Sequence, residues 1–220
     1  MHKAGLLLID KPQGLTSHDV VDIVRKKLAI RKVGHAGTLD PLATGLLIIL
    51  VGAATKECSR FTSFDKEYIA TLTLGFATDT GDSQGKVIAQ ASYEGLREPA
   101  VVSVFKSLEG ESEQIPPMVS AIKHKGKPLY KLARKGITVE RKKRIIFLSW
   151  LRLLRFSLPE IEFEVKCSKG TYIRSLGEDI ASRLNSAGHI SRIRRVAIGP
   201  YMISQAKTVD SFNEDDIRAF

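Results

Sequence analysis

Residues 34–47 read GHAGTLDPLATGLL, and the run continues through Ile48, Ile49, Leu50 and Val51. Leu46 to Val51 is an unbroken apolar stretch bounded by Gly45 and Gly52. That length and those flanks suit a central strand covered on both faces better than a helix. Ahead of the strand stand Gly34, Gly37, His35 and Asp40, the only acidic residue between Asp22 and Glu57. An aspartate before Pro41 is ordinary turn chemistry, and an isolated acid beside a buried strand is also a candidate reactive group. These residues alone leave both readings open.

Upstream, Gly5 to Asp10 reads as a short buried strand ending in the turn signal Lys11-Pro12-Gln13-Gly14. A helix follows, with Ser17 as its expected cap, Asp19 and Asp22 near its positive end, and Val20, Val21, Val24 and Leu28 as its apolar stripe. The segment from Gly34 to Gly45 is expected to be a loop. Downstream, Glu67 to Gly75 alternates so that Tyr68, Ala70, Leu72 and Leu74 share one strand face. TDTGDSQG, residues 78–85, is rich in oxygen ligands. A calcium loop starting at Asp79 would have Gly81, Ser83 and Gln90 at ligating positions, so the stretch reads as a turn.

Pro99 to Leu108 has helical spacing, and Glu160 to Cys167 alternates strictly as a strand. Ser168-Lys169-Gly170 then turns the chain into a helix capped by Thr171, with the stripe Ile173, Leu176, Ile180 and Leu184. Arg174 falls in that helix's first turn, where a cation meets the positive end of the dipole and calls for a nearby carboxylate. His189 to Ile203 adds a strand bearing Arg192, Arg194 and Arg195. Strands and helices interleave without regular alternation, which argues an α+β fold.

Two cysteines and five scattered histidines suggest neither a disulfide framework nor a metal site. Neither GxxxxGK[ST] nor GxGxxG after a strand is present, so a nucleotide cofactor is not expected. The longest apolar stretch, Leu46 to Ala54, is too short to span a bilayer, and Met1 to Ile9 lacks a signal peptide's core. A cytoplasmic setting is expected.

The net charge is +10, and its distribution is uneven. Residues 121–155 hold 12 of the 34 Lys+Arg against one of the 24 Asp+Glu, leaving a near-balanced 22 and 23 elsewhere. A polyanionic partner is implied, and charge alone admits RNA, DNA or acidic lipid. Within this region QIPPMVSAIKHKGKPLYKLARKG, residues 114–136, carries Pro116-Pro117, Gly126 and Gly136, which forbid one long helix. It reads as a long cationic excursion with only short ordered pieces.

Taken in order, GLLLIDKPQGLTSHDVV (5–21), GHAGTLDPLATGLLIILVGAATK (34–56), DKEYIATLTLGFATDTGDSQG (65–85), EQIPPMVSAIKHKGKPLYKLARKG (113–136) and CSKGTYIRSL (167–176) resemble the bacterial tRNA pseudouridine-55 synthases of the TruB family. The resemblance runs from about Gly5 to Pro200. It implies the pseudouridine synthase fold, a mixed, mostly antiparallel sheet flanked by helices, and isomerisation of uridine 55 in the tRNA T-loop without cofactor or metal.

By motif, Asp40 resembles the catalytic aspartate, Tyr68 the active-site tyrosine and Arg174 the arginine that pairs with the aspartate. His35 resembles the loop histidine that holds the RNA in its extruded shape, and Tyr172 lines the site. Lys11 and Pro12 match a supporting pair beside it. Residues from about 112 to 144 correspond to the family's RNA-gripping insertion, so Lys123, Lys125, Lys127, Lys131 and Arg134 are expected to meet phosphates. A monomer acting on the T-arm, with no protein partner, suffices for such chemistry. Family members commonly continue into a C-terminal RNA-binding module of the PUA type. Here the sequence ends at Phe220, so one catalytic domain, 1–220, is expected without that module. An RNA-folding chaperone using the same groove, or a synthase for ribosomal or guide-bound RNA, are the competing readings.

Overall fold

The computed structural model describes residues 4–133 and 135–219. Its first elements are β1 (Gly5–Lys11), α1 (Ser17–Leu28), β2 (Val33–Ala36), β3 (Thr44–Val51), α2 (Cys58–Thr62) and β4 (Lys66–Leu74). There follow β5 (Phe76–Thr78), β6 (Val87–Gln90), α3 (Glu98–Leu108), β7 (Gly110–Gln114), β8 (Lys123–His124), β9 (Lys127–Pro128) and α4 (Leu129–Ala133). The last are β10 (Arg144–Ser157), β11 (Glu160–Cys167), α5 (Ile173–Arg183), β12 (Gly188–Ile198), β13 (Tyr201–Met202) and β14 (Lys207–Thr208). Contacts divide the chain into two compact units, one built from the segments up to Ile69 and from Arg192 onward, the other from Ala70–Ser191.

In the first unit β3 is the middle strand. β1 runs antiparallel along it from Gly5 opposite Val51 to Lys11 opposite Gly45. On its other edge β2 pairs antiparallel at Leu50 and Ile49, and β12 pairs parallel at Thr44 and Gly45. β14 adds a parallel pair to β1, so the sheet is mixed. Leu46 to Val51 are all buried, which is why the sequence shows a continuous apolar run and not an alternating one. One core cluster gathers Leu6, Leu8, Leu46, Ile48 and Leu50 with Phe61 and Ile198. Beside it the rings of Phe61, Phe64 and Tyr201 lie 6.1–6.3 Å apart in tilted or edge-on contacts.

Helix α1 starts one residue earlier than the expected Ser17 cap. Thr16 is the cap: its hydroxyl accepts from the Asp19 amide at 3.1 Å, and the Asp19 carboxylate accepts from the Thr16 amide at 2.7 Å. The reciprocal pair is a capping box, which satisfies two otherwise orphaned donors and holds the Asp19 carboxyl below its usual range. Ser17 is thereby left free for another task, described below. Thr16→Ala is expected to cost about 1 kcal/mol, read as a fall of about 2–4 °C in the thermal unfolding midpoint.

In the second unit β10 lies between β11 and β7, antiparallel to both. Ile161, Phe163, Val165 and Cys167 of β11 are all buried, as the alternation predicts. Helix α3 packs on β10, and its Phe105 meets Phe163 edge-on at 5.8 Å. Strands β5 and β6 form a hairpin whose connection is the TDTGDSQG turn. Helix α5 begins differently from expectation: Tyr172 takes the cap position without a side-chain cap bond, and the Thr171 hydroxyl donates to the Ser168 carbonyl instead. The cationic excursion contains the β8–β9 hairpin and the single turn α4, anchored by buried Leu129. The chain is α+β, with parallel and antiparallel strand pairs and flanking helices.

Candidate active site

Asp40 sits in the first unit, on the turn between β2 and β3. The stretch expected to be all loop begins as a strand, because β3 offers a free edge on which Val33–Ala36 pair, His35 lying opposite Ile49. The turn itself is held from several directions. The Ser17 hydroxyl accepts from the Leu39 amide at 2.8 Å and donates to the Leu39 carbonyl at 3.2 Å. The Gly14 amide donates to the Pro41 carbonyl at 2.8 Å, and the Ala43 amide to the Asp40 carbonyl at 3.0 Å. Leu39, Leu42 and Ala43 are buried on either side, while Asp40 is half-buried. The peptide frame of the carboxylate is thus fixed although its side chain reaches the surface.

From β12, Arg195 reaches the same turn. It is 1% exposed; its Nε donates to the Leu46 carbonyl at 2.7 Å and its two Nη atoms to the Thr38 and Gly37 carbonyls at 3.3 Å each. Where β12 meets β3, Gly45 adopts φ +104°, and a Cβ there would lie 2.3 Å from the Arg195 carbonyl oxygen. Only glycine allows both that conformation and that approach. Its neighbour Arg194 points elsewhere and forks onto the Asp10 carboxylate at 2.6 and 3.1 Å.

Lys11, at the end of β1, is 0% exposed, and its ammonium donates to the Pro12 and Leu15 carbonyls at 2.9 and 2.7 Å. Burial above all, helped by the Arg195 cation and opposed by the nearby Asp40 carboxylate, lowers its pKa from 10.5 to about 8. Between those two values the unfolded chain holds a proton that the folded chain has released. Stability therefore rises with pH across that window through this residue. The melting temperature of the native sequence minus that of Lys11→Met is expected to increase between about pH 8 and pH 10. A flat difference across that range would show that the ammonium is not desolvated.

His35 is pushed below the ordinary histidine value, first by burial and then by Arg195. It is therefore a neutral imidazole at neutral pH, with a buried Nδ1 that meets no hydrogen-bond partner among the described residues. Tyr68 opens β4 on its buried face, as the alternation predicts.

Arg174 and Tyr172 belong to the second unit. Arg174 is 3% exposed, and its guanidinium donates to the carbonyls of Thr80 at 2.8 Å and Val119 at 2.7 Å. Within that unit its charge faces the Asp82 carboxylate at 3.7 Å. Asp82 in turn accepts from the Thr80 hydroxyl at 2.7 Å and the Gln84 amide at 3.0 Å. Sequence reasoning passed over Asp82 because it treated residues 78–85 only as a possible ion loop or a turn. The signal lay in the unfavourable position of Arg174 at a helix start, which asks for an acid.

Gln114 was also missed. Buried, it accepts from the Tyr172 amide at 2.8 Å and donates to the Tyr172 carbonyl at 3.1 Å. With Ser175 donating to the Ile115 carbonyl at 3.1 Å, it ties the root of the cationic segment to the start of α5. Farther out, Lys123, Lys125, Lys127 and Lys131 are exposed on the β8–β9 hairpin and α4; Arg134 lies outside the described residues. Among the described residues no group of three or more His, Cys, Asp or Glu is placed to hold a metal ion, and no helix is long and apolar enough to cross a membrane.

Similarity to known proteins identifies the family of the chain. Residues 25–173 match the family model described as TruB family pseudouridylate synthase (N terminal domain). The chain is 45% identical to tRNA pseudouridine synthase B of Opitutus terrae over 207 residues, covering 94% of this chain and 86% of that protein. Against tRNA pseudouridine synthase B of Clostridium tetani the identity is 46% over 216 residues, covering 98% and 75%. Among solved structures it resembles a chain of a Cbf5-Nop10-Gar1 complex with a TM-score of 0.74 and 30% identity, over 94% of this chain and 54% of that one. It thus spans about half of that longer chain. By the extent of the family match and the identity to these relatives, the chain belongs to the TruB family of pseudouridylate synthases.

Proposed function

We propose that the protein converts uridine 55 in the T-loop of tRNA to pseudouridine, with Asp40 as the reactive carboxylate. The observation that carries this reading is the rigid turn around Asp40 in a chain 45% identical, over 94% of its length, to a tRNA pseudouridine synthase B. In the reaction the bond from the ribose C1′ to N1 breaks, the uracil rotates, and a bond from C1′ to C5 forms. The proton of C5 leaves and N1 gains one. There is no net redox change, so the step asks only for a well-placed carboxylate acting as nucleophile or base.

Tyr68 offers a flat face for the base and a hydroxyl without a full charge to bury. Arg174 is assigned by its motif to balance the carboxylate, and Tyr172 to line the pocket. Lys11 and Pro12 form a supporting pair beside the site, the Lys11 ammonium donating to the Pro12 and Leu15 carbonyls. A stacked uridine must leave the loop to react, and extrusion costs a few kcal/mol that protein contacts offset. A neutral His35 suits filling the vacated space, since it brings no charge among the bases. In this reading residues 1–220 are one catalytic domain, working as a cytoplasmic monomer with the T-arm as its only partner.

The exposed lysines of residues 123–131 supply phosphate contacts. Replacing Lys123, Lys125, Lys127 and Lys131 with Gln is expected to flatten the plot of log affinity for tRNA against log salt by about 0.7–0.9 per contact removed, measured by filter binding. An unchanged slope would place the phosphates elsewhere. The activity is tested by mapping pseudouridine in tRNA from cells lacking the protein. Position 55 should be unmodified and restored by the chain. Modification persisting at 55 overturns the substrate, and a gain or loss in ribosomal RNA would favour the other synthase reading.

A further inference from the structure

We propose that Arg195 is the positioning residue of the Asp40 turn: its guanidinium sets the backbone on both sides of the carboxylate and so determines where Asp40 meets the base. The proposal rests on the assignment of Asp40 as the reactive group.

Neighbouring residues of a strand point to opposite faces, and on β12 the contrast is plain. Arg194 goes to a carboxylate, Asp10, near the surface. Arg195 goes inward, where its hydrogen bonds run to three main-chain carbonyls: Gly37 and Thr38 before Asp40, and Leu46 after it. A buried guanidinium is costly unless its donors are satisfied, and an apolar side chain of similar volume would fill the same space at lower cost. Packing therefore does not account for an arginine here. Its planar fork does, because a single rigid group spans the residues on either side of the turn.

The turn needs such a restraint. Gly37 has φ +92°, a glycine conformation with wide freedom in the absence of outside contacts. Ser17 and Gly14 hold the turn at Leu39 and Pro41, while Arg195 holds both of its shoulders. The same cation lies close enough to Lys11 and His35 to depress the protonation of each, which places its charge among the groups around Asp40.

The test is single-turnover pseudouridine formation on tRNA transcript by the native protein, Arg195→Lys, Arg195→Gln and Asp40→Asn. Affinity for tRNA, thermal unfolding and amide hydrogen exchange are measured on the same preparations. Lysine keeps the charge but cannot fork, and glutamine keeps a donor without the charge. A displacement of about 1 Å at a reacting group costs on the order of 100-fold. Both variants should therefore lose about 100-fold in rate with tRNA affinity unchanged, while exchange quickens at Thr38–Ala43 ahead of the core. A rate within about threefold of native in Arg195→Lys overturns the proposal. So does a loss of affinity or of cooperative unfolding that matches the loss of rate, because Arg195 then serves folding alone. An active Asp40→Asn would instead remove the functional reading, whatever Arg195 does.

Discussion

Asp40→Asn is expected to abolish pseudouridine formation, by at least about 10⁴-fold in single-turnover rate, while leaving tRNA binding within a few-fold of native. The substitution is nearly isosteric. The frame of the turn depends on main-chain groups of Leu39, Asp40, Pro41 and Leu46 and on the side chains of Ser17 and Arg195, none of which the change removes. What goes is the charge, and with it any role as nucleophile or base. An amide has no lone pair of comparable basicity to offer. Product analysis of the variant with tRNA in excess, alongside filter binding, separates an enzyme from an RNA-folding module. A variant that binds and still forms pseudouridine would eliminate Asp40 from the chemistry. A variant that keeps an RNA-folding activity but makes no product would show the chain to carry both.

Arg174→Met is expected to destabilise the protein by about 3–5 kcal/mol, the usual consequence of removing one partner of a buried ion pair. Methionine keeps much of the aliphatic volume, so the loss is not chiefly a cavity. Removing the guanidinium takes two donors from the carbonyls of Thr80 and Val119. It also leaves the buried Asp82 carboxylate with the Thr80 hydroxyl and Gln84 amide but without its cation. Because Val119 belongs to the root of the cationic segment, loosening should appear first between Gln114 and Ser120, read as faster hydrogen exchange there. Denaturant unfolding measures the magnitude. Asp82→Asn should recover part of the loss in the double variant, since it removes the stranded charge. Full stability in Arg174→Met would mean that the arginine is held for chemistry and not for the unit's structure.

Much of the fold was legible because the strongest signals are local. The apolar run Leu46–Val51 announces a doubly covered strand, and β3 is one; the alternation of Glu160–Cys167 announces a half-buried strand, and β11 is one. Tyr68 falls on the buried face where period two puts it. Errors collected at element ends and at a short strand that only its partner's edge defines. Thr16 and Ser17 are both good cap residues, and only the reciprocal bond with Asp19 shows which one serves. β2 carries a short, glycine-containing sequence with little strand propensity of its own. It is a strand because β3 presents an unfilled edge.

The candidate site divides the same way. Asp40, Tyr68, Arg174, His35, Tyr172 and Lys11 were named from motifs, which record residue types at positions. Motifs do not record environment. That Lys11 is fully buried with a pKa near 8, that His35 is neutral, and that Asp82 and Gln114 stand behind Arg174 and Tyr172 depend on burial and on partners dozens of residues away.

The sequence by itself determined the family, the isolated carboxylate and the cationic segment, because residue identity, periodicity and charge are properties of neighbours along the chain. Only the tertiary structure decided what holds that carboxylate in place. Three carbonyls from Gly37, Thr38 and Leu46 converge on an arginine about 150 residues further on. Such convergence exists only after β12 has paired with β3, since main-chain acceptors are identical at every residue and leave no mark in the sequence.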